Sequence, residues 1–200
     1  MSLTETTKEI QVIAGAIPDG IWGPNSAAAV LKLLRKISPT PAPVPIASNF
    51  DARTEQNLST LQPGARRKLT PLVIKAIAIG AARGVTVKVI CGLRNRADQE
   101  AAKRSGASKA GYGKSWHNYG MAIDFGCFGT DESYLDGSNP AIAEKIYREV
   151  GKLAPEYGIE WGGGWRSFKD TPHFHVADGL PSTPTASHVA RLNAETFYYA

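Results

Sequence analysis

The sequence predicts an α+β fold, in which a small, mostly antiparallel sheet is flanked by helices and preceded by a small helical module. Helical and strand periodicities both occur, and the strands are too short and too irregularly placed for repeated βαβ units. The 200 residues are 42% hydrophobic and 20% charged, which is the composition of a globular protein with a real core. Since no run of about eighteen apolar residues occurs, no membrane-spanning helix is predicted.

Apolar residues at helical spacing predict the helices of the larger domain. One pattern predicts a helix that ends at Gly84, a residue type favoured after the last helical turn. Pro71 falls inside this pattern, so it either starts the helix or bends a longer one. Two more helices are predicted over residues 97–104 and 139–156, and a glycine- and serine-rich loop over residues 105–115.

Three short segments predict the strands. Residues 85–90 alternate in polarity as a half-buried strand does. Residues 121–125 form an apolar run that one acid, Asp124, interrupts, and residues 174–176 predict a last strand.

Proline content divides the chain. Four prolines within residues 39–48 predict an extended, semi-rigid linker. The linker separates a module of residues 1–38 from a domain of residues 49–200. In the module, helical spacing and the Asp19-Gly20 turn signal predict a helical hairpin.

The middle of the chain is basic. Residues 61–120 contain twelve basic and two acidic side chains, whereas the whole chain carries a net charge of +5. This asymmetry favours a polyanionic partner, for which nucleic acid and anionic cell wall both qualify.

Cys91 and Cys127 are too few for a disulfide scaffold. They are interpreted as small buried side chains, with a bridge between neighbouring strands as the alternative.

The segment from Ser115 to Asp124 contains candidate residues for a metal-binding or catalytic site. A carboxylate inside an apolar strand needs a compensating charge, which a metal ion can supply. His117 and Asp124 are seven residues apart and would point to opposite faces of an unbroken strand, but Gly120 can break the extended path. The alternative is an Asp at a strand end that binds backbone amides, beside a solvent-exposed His.

A second cluster lies downstream. Asp170 and His173 flank a proline, so a turn is predicted to bring them to one side, and His175 shares a strand face with His173. Two imidazoles and a carboxylate suit zinc and leave a fourth position for water. Core packing is the favoured interpretation of the neighbouring Trp161 and Trp165.

The larger domain resembles the M15 zinc metallopeptidases in three segments, which occur in the family's order: Gly92 to Gln99, Ser115 to Asp124 and Asp170 to His173. The resemblance implies a Zn²⁺ cofactor with these ligands: His117, Asp124 and His173. It also implies that Asp170 is the catalytic acid and base, that Arg94 faces the substrate carbonyl, and that the cleft is lined by Ser115 and Gln99.

His175 leaves the third ligand open. Related zinc peptidases use a His-x-His pair whose second histidine binds the metal. The intact Asp-x-x-His spacing favours His173 as the ligand, and His175 is then assigned to substrate binding.

The N-terminal module resembles the core motif of the peptidoglycan-binding type 1 domain over residues 19–30. The resemblance implies that the module binds cell wall through four residues: Asp19, Gly20, Trp22 and Gly23.

Together the resemblances imply a zinc-dependent peptidoglycan peptidase like a phage endolysin, which cuts the L-alanyl-D-glutamate bond of the wall's stem peptides. Within the family, a D-alanyl-D-alanine carboxypeptidase is the alternative. The alternative of another class is a non-catalytic wall-binding protein. The presence of all three expected ligands and the expected acid argues against it.

The expected partner is bacterial peptidoglycan, and the chain is expected to be a monomer. No nucleic-acid partner is expected, because no binding motif accompanies the basic charges. The N-terminus MSLTETTKEI lacks the apolar core of a secretory signal. Synthesis in the cytoplasm is therefore expected, followed by release to the wall through a pore or a secretion system.

Overall fold

The protein divides into two compact units, residues 1–48 and residues 49–200. The computed structural model describes residues 2–14, 18, 26, 30, 50–138, 140–194, 197 and 199. In the first unit, helix α1 spans Leu3–Ala14, and the buried Gln11 donates from Nε2 to Ser26 Oγ at 2.8 Å. The predicted Asp19-Gly20 turn and the proline-rich linker lie outside the described residues.

The second unit contains six helices and four strands in its described part. The helices are α2 (Ala52–Ser59), α3 (Pro63–Ala81), α4 (Arg96–Arg104), α5 (Leu135–Ser138), α6 (Pro140–Leu153) and α7 (Ala186–Asn193). The strands are β1 (Thr86–Cys91), β2 (Ala122–Phe128), β3 (Ile159–Trp161) and β4 (His173–Val176). Short 3-10 helices span Trp116–Tyr119, Ala154–Tyr157 and Gly162–Gly164.

The four strands form one antiparallel sheet in the order β1-β2-β4-β3. In the central pair, Asp124 lies opposite His173, Ile123 opposite Phe174, and Ala122 opposite His175. Because side chains alternate between the two faces of a strand, Asp124 and both histidines share one face, and Ile123 and Phe174 share the other.

The hydrophobic core lies on the face of Ile123 and Phe174. Helix α3 packs against β1 and β4, and α6 packs on α3. Leu69 and Leu72 of α3 and Ile146 of α6 are completely buried. Replacing such a leucine with alanine typically costs about 2–5 kcal/mol of stability. A core of this kind makes the sheet a rigid support for the polar residues on its opposite face.

The α+β class and the antiparallel sheet that the sequence predicts are confirmed. Pro71 lies inside α3, so the longer helix is the correct alternative, and Pro63 occupies its first position. The sequence did not predict α2, α5, α7 or β3. These elements are only three to eight residues long, which is too short to show a clear periodic pattern of apolar residues.

Strand β2 runs three residues further than predicted, to Phe128. Gly126 is a weak strand former, but pairing with β1 as far as Thr86 opposite Phe128 keeps this segment extended.

The disulfide alternative is wrong, since Cys91 and Cys127 are both free thiols. Cys127 is buried as expected, whereas Cys91 is half-buried. Among the helices that the structure describes, none is long and apolar enough to span a bilayer.

Candidate metal centre

Three side-chain atoms form a nearly equilateral triangle on the polar face of the sheet. His117 Nε2 lies 3.0 Å from Asp124 Oδ1 and 3.1 Å from His173 Nδ1, and His173 Nδ1 lies 3.1 Å from Asp124 Oδ1. Three ligands bound at about 2.1 Å to a tetrahedral zinc would be about 3.4 Å apart. The three predicted ligands therefore lie together at nearly the spacing that the metal requires.

The backbone explains how residues distant in sequence meet. Asp124 and His173 are cross-strand neighbours in β2 and β4. His117 lies in a 3-10 helix, which Ser115 caps by accepting from the His117 N–H at 3.4 Å. Gly120 ends this helix at φ +63°, and a Cβ there would lie 3.0 Å from Gln62 N. The prediction that Gly120 breaks the extended path is thus confirmed.

The hydrogen bonds of His117 indicate that the triangle needs a cation. Nδ1 donates to the carbonyl oxygen of Gly92 at 2.8 Å, so a neutral ring presents a lone pair at Nε2. That lone pair faces the carboxylate oxygen of Asp124, which is also an acceptor. Two acceptors at this distance repel each other unless a proton or a metal ion lies between them. The residues present therefore fit a bound metal ion.

The pKa shifts express the same electrostatics. Burial alone would lower the pKa of His117, but the Asp124 carboxylate raises it to about 10. Burial would raise the pKa of Asp124, but His117 and His173 hold it well below its ordinary value. Without a metal, the pocket thus favours a carboxylate and an imidazolium.

Cys91 offers a second donor set. Its Sγ can group with ligand atoms of His117 and Asp124 within 4.8 Å. However, the sulfur approaches His117 through Nδ1, at 3.6 Å, and this nitrogen already donates to Gly92. The set that contains His173 is tighter and uses the free Nε2, so we favour it over the set that contains Cys91.

Arg94 joins the two sets. Its Nη2 lies 3.2 Å from Asp124 Oδ2 and 3.3 Å from Cys91 Sγ, and its Nη1 donates to Gln99 Oε1 at 3.3 Å. Burial would raise the pKa of the Cys91 thiol, but His117 and Arg94 lower it below its ordinary value. Arg94 therefore holds Oδ2 of the Asp124 carboxylate, while Oδ1 of the same carboxylate belongs to the triangle.

Asp170 lies beside the triangle, as predicted. The His173 N–H donates to Asp170 O at 3.2 Å, which closes the turn that brings both residues to one side. Gly162 backs this turn, and a Cβ on it would lie 2.6 Å from Asp170 O. Burial, together with the negative charge of Asp124, raises the pKa of Asp170 above its ordinary value.

These residues line one groove with a volume of about 340 Å³. The metal-centre residues on its wall are Arg94, His117, Asp124, Asp170 and His173. The wall is completed by Ile90, Ala107, Ser108, Lys109, Ala110, Lys114, Ser115, Trp116, Tyr134, Trp165, Phe168, Pro172, Ser182, Thr183 and Pro184.

Two residues that the sequence analysis assigned to the cleft or to substrate binding lie beneath the groove surface. Gln99 is completely buried, and its amide donates to Ser108 Oγ at 3.0 Å and to Ala110 O at 2.8 Å. His175 is also completely buried. Neither lines the groove, because their side chains point into the protein; Ser115 does line it, as expected.

His175 differs from His173 in having no close polar partner. In the described part of the chain, neither of its ring nitrogens forms a hydrogen bond. Its Nε2 lies 3.8 Å from Glu160 Oε2, and its ring stacks on Trp116 at 6.3 Å between centroids. Burial lowers the pKa of His175 to about 3, and the positive charges of His173 and His117 act in the same direction.

The sequence prediction missed part of the groove. Trp161 packs against the core as expected, but Trp165 lines the groove and lies 5.1 Å from the His173 ring, so core packing was the wrong interpretation for it. Phe168 and Lys109 were not singled out. The proximity of residues 165–168 to Asp170 was the available signal. The four residues assigned to wall binding, Asp19, Gly20, Trp22 and Gly23, lie outside the described residues.

Comparison with known proteins places the chain in a family. The profile of a family described as D-alanyl-D-alanine carboxypeptidase, of the M15 peptidases, matches residues 108–176. The peptidoglycan L-alanyl-D-glutamate endopeptidase CwlK of Bacillus subtilis (strain 168) is 30% identical over 145 residues, which are 66% of this chain and 77% of CwlK.

Solved structures of other proteins are also similar to this chain, among them the following two. The L-Ala D-Glu endopeptidase ChiX of Serratia marcescens is 28% identical, with 64% of this chain and 88% of ChiX covered and a TM-score of 0.42. The vancomycin resistance D,D-pentapeptidase VanY, in complex with Zn(II), is 16% identical, with 55% and 71% covered and a TM-score of 0.38. The identity to CwlK and the share of it that is covered carry the assignment: the chain belongs to the M15 family of metallopeptidases.

Proposed function

We propose that this protein is a zinc-dependent endopeptidase that cuts the bond between L-alanine and D-glutamate in the stem peptides of bacterial peptidoglycan. The observation that carries the proposal is the triangle of His117 Nε2, Asp124 Oδ1 and His173 Nδ1, open to a groove that Asp170 also lines. The activity in the name of CwlK, the relative at 30% identity, supports the choice of bond.

His117, Asp124 and His173 would hold the zinc ion. When bound, zinc acts as a Lewis acid and makes water a nucleophile near neutral pH. Asp170 takes the proton of the attacking water and passes it to the leaving amine of D-glutamate. Its raised pKa makes it a stronger base than an ordinary aspartate, which suits this role.

Arg94 contributes a permanent positive charge to the groove wall. We assign it to the oxyanion that develops on the scissile carbonyl, since a preorganised cation stabilises such a charge. Its contact with Asp124 Oδ2 holds the guanidinium in place before substrate binds. Gln99 acts as a positioning residue, because its carbonyl oxygen accepts from Arg94 and its NH₂ group supports the neighbouring loop.

The test is digestion of purified peptidoglycan, followed by mass spectrometry of the released peptides. Endopeptidase action on tetrapeptide stems frees a tripeptide that begins with D-glutamate and leaves alanine on the muramic acid. The rival within the family is removal of the terminal D-alanine, the activity in the description of the matching profile. Release of free D-alanine from pentapeptide stems without that tripeptide would establish the rival.

We also propose that residues 1–38 bind the wall and that residues 49–200 cut it. The similarity of residues 19–30 to the peptidoglycan-binding type 1 motif supports the division of labour, which would raise the local enzyme concentration at the wall. In the full chain, Trp22→Ala should weaken sedimentation with insoluble peptidoglycan while hydrolysis of short soluble peptides is retained. Unchanged sedimentation would argue against a wall-binding role for the motif.

A further inference from the structure

The loop at residues 107–115 forms one edge of the groove and is tied to the scaffold. Gln99 holds it at Ser108 and Ala110, as described above. The Tyr112 N–H donates to Glu100 Oε1 at 2.9 Å. The Gly113 N–H donates to Asn118 Oδ1, also at 2.9 Å. The loop therefore carries its side chains at fixed points along the groove.

Two lysines of this loop, Lys109 and Lys114, line the groove. Both are exposed, and within the described part of the chain neither forms a salt bridge. The two acids on the groove wall, Asp124 and Asp170, belong to the metal centre. The groove thus carries two ammonium groups whose charge no carboxylate of the described residues neutralises.

Lys109 reaches towards the opposite edge of the groove. Its Nζ lies 5.8 Å from the ring centroid of Phe168, which belongs to the segment that leads into β4 and is 43% exposed. An aromatic face at an exposed site attracts a cation only weakly, and less than a carboxylate does. The ring therefore positions the ammonium over the groove but leaves it available to an anion.

The substrate in the proposed reaction brings a negative charge close to the metal centre. The leaving residue, D-glutamate, is linked onward through its γ-carboxyl, so its α-carboxylate is free. Standard bond lengths put this carboxylate at most about 4.3 Å from the scissile carbonyl carbon. With zinc bound, the two positive charges of the ion would balance the carboxylates of Asp124 and Asp170, and Arg94 is already paired with Asp124. The substrate carboxylate therefore still lacks a cation of its own on the leaving-group side.

We propose that Lys109 and Lys114 form a carboxylate subsite that selects stem peptides with a free α-carboxylate on D-glutamate over those in which it is amidated. The proposal rests on the proposed function, since it assigns the charge of that reaction's leaving group. Lysine suits the task because its long, flexible stem lets the ammonium follow a ligand.

The experiment compares three soluble stem peptides: one with all carboxylates free, one amidated at the D-glutamate α-carboxyl, and one amidated only at the C-terminal carboxyl. The zinc-loaded enzyme is assayed as wild type, Lys109→Met, Lys114→Met and the double variant. Lys103→Met is the matched control, because Lys103 is exposed on α4 and does not line the groove.

We expect wild type to cut the D-glutamate-amidated peptide with a kcat/KM about tenfold lower than that of the free peptide, mainly through KM, since a charge-assisted contact is lost. The double variant should lose about tenfold on the free peptide and nothing further on the amidated one. C-terminal amidation should have no effect. Lys103→Met should match wild type on all three peptides.

Three results would overturn the subsite. Wild type could cut the free and D-glutamate-amidated peptides equally, the double variant could lose equally on both, or C-terminal amidation alone could produce the loss, which would place the recognised carboxylate elsewhere. If wild type cut none of the peptides at the L-alanyl-D-glutamate bond, the proposed function would fail instead. Calorimetric binding of the same peptides to zinc-loaded Asp170→Asn protein, with and without the lysine changes, would then decide the subsite separately.

Discussion

The two ends of the β2–β4 ladder contain the same residue type in opposite electrostatic settings. At one end His173 lies opposite Asp124, and its Nδ1 completes the donor triangle. At the other end His175 lies opposite Ala122, and neither of its nitrogens forms a hydrogen bond within the described residues. Both histidines project from the same face of β4, two residues apart.

The cross-strand partner accounts for the difference. A carboxylate opposite a histidine provides a second donor atom for a metal ion, and His117 supplies the third. His175 lies opposite a methyl group on β2 and opposite Glu160 on β3, but the Glu160 carboxylate is 3.8 Å from Nε2, beyond hydrogen-bond distance. His175 therefore stays neutral and packs against Trp116. The distance to the facing carboxylate therefore distinguishes a candidate metal ligand from a buried aromatic residue.

The largest expected effect separates the two histidines by metal content. His173→Gln should lose most of the bound zinc and more than about 100-fold in activity, since even changes outside the first ligand shell cost 10- to 100-fold. His175→Gln, the matched control, should retain about one zinc per chain. Elemental analysis of both purified variants checks this. Zinc retained by His173→Gln and lost by His175→Gln would reverse the assignment.

The next effect separates metal binding from proton transfer. Asp170→Asn should keep its zinc and its fold but lose activity on stem peptides by about 100-fold or more, the contribution of a general acid and base. Asp131→Asn is the control, because Asp131 is exposed and does not line the groove. Near-wild-type turnover of Asp170→Asn would mean that another group moves the proton.

The proposed ligands and Asp170 could be singled out because each belongs to a short local motif. His117 and Asp124 occur within one ten-residue segment, and Asp170 and His173 within four residues. The antiparallel register that joins the two segments is the part that the sequence left open. The resemblance to a family grouped the residues but gave no register, since residues 49 positions apart offer no periodicity to compare.

The positions of several other side chains could not be predicted, because they depend on strand irregularities and burial that a local sequence pattern does not show. The register shift between Val89 and Cys91 places Cys91 opposite Asp124, whereas strict alternation would have grouped it with the core-facing Val89. Gln99 was assigned to the cleft by resemblance, and His175 was assigned to substrate binding, but neither argument gives the depth of a side chain. Trp165 was assigned to the core because its size alone suggests burial.

The third effect concerns the proton on His117. Asp124 raises the pKa of His117 to about 10 despite burial, so the metal-free pocket is protonated at neutral pH. Zinc requires the lone pair of Nε2, so binding should release about one proton, and affinity should rise about tenfold per pH unit between about pH 7 and 9. Calorimetry in buffers of different ionisation enthalpy measures the release. Binding that is independent of pH would show that the pocket holds no such proton.

A smaller effect is expected at the competing donor, Cys91. Its sulfur lies on the Nδ1 side of His117, outside the favoured triangle. Cys91→Ser should therefore change the zinc affinity by less than about 100-fold, the upper range for outer-shell partners, and leave the stoichiometry intact. Titration against a chelating dye checks both quantities. Loss of stoichiometric zinc would instead make Cys91 a ligand.

The smallest expected effect is on stability, at His175. A buried imidazole whose nitrogens lack partners carries an uncompensated desolvation penalty of about 1–3 kcal/mol. His175→Leu removes that penalty but also loses the stacking of the ring on Trp116, which is worth about 0.5–1.5 kcal/mol. These opposing terms should leave the free energy of unfolding within about 1 kcal/mol of wild type, as measured by urea denaturation of the metal-free proteins. A loss of about 3 kcal/mol or more would mean that His175 has a polar partner such as Glu160. The two histidines would then differ in which group they bind, and not in whether they bind one.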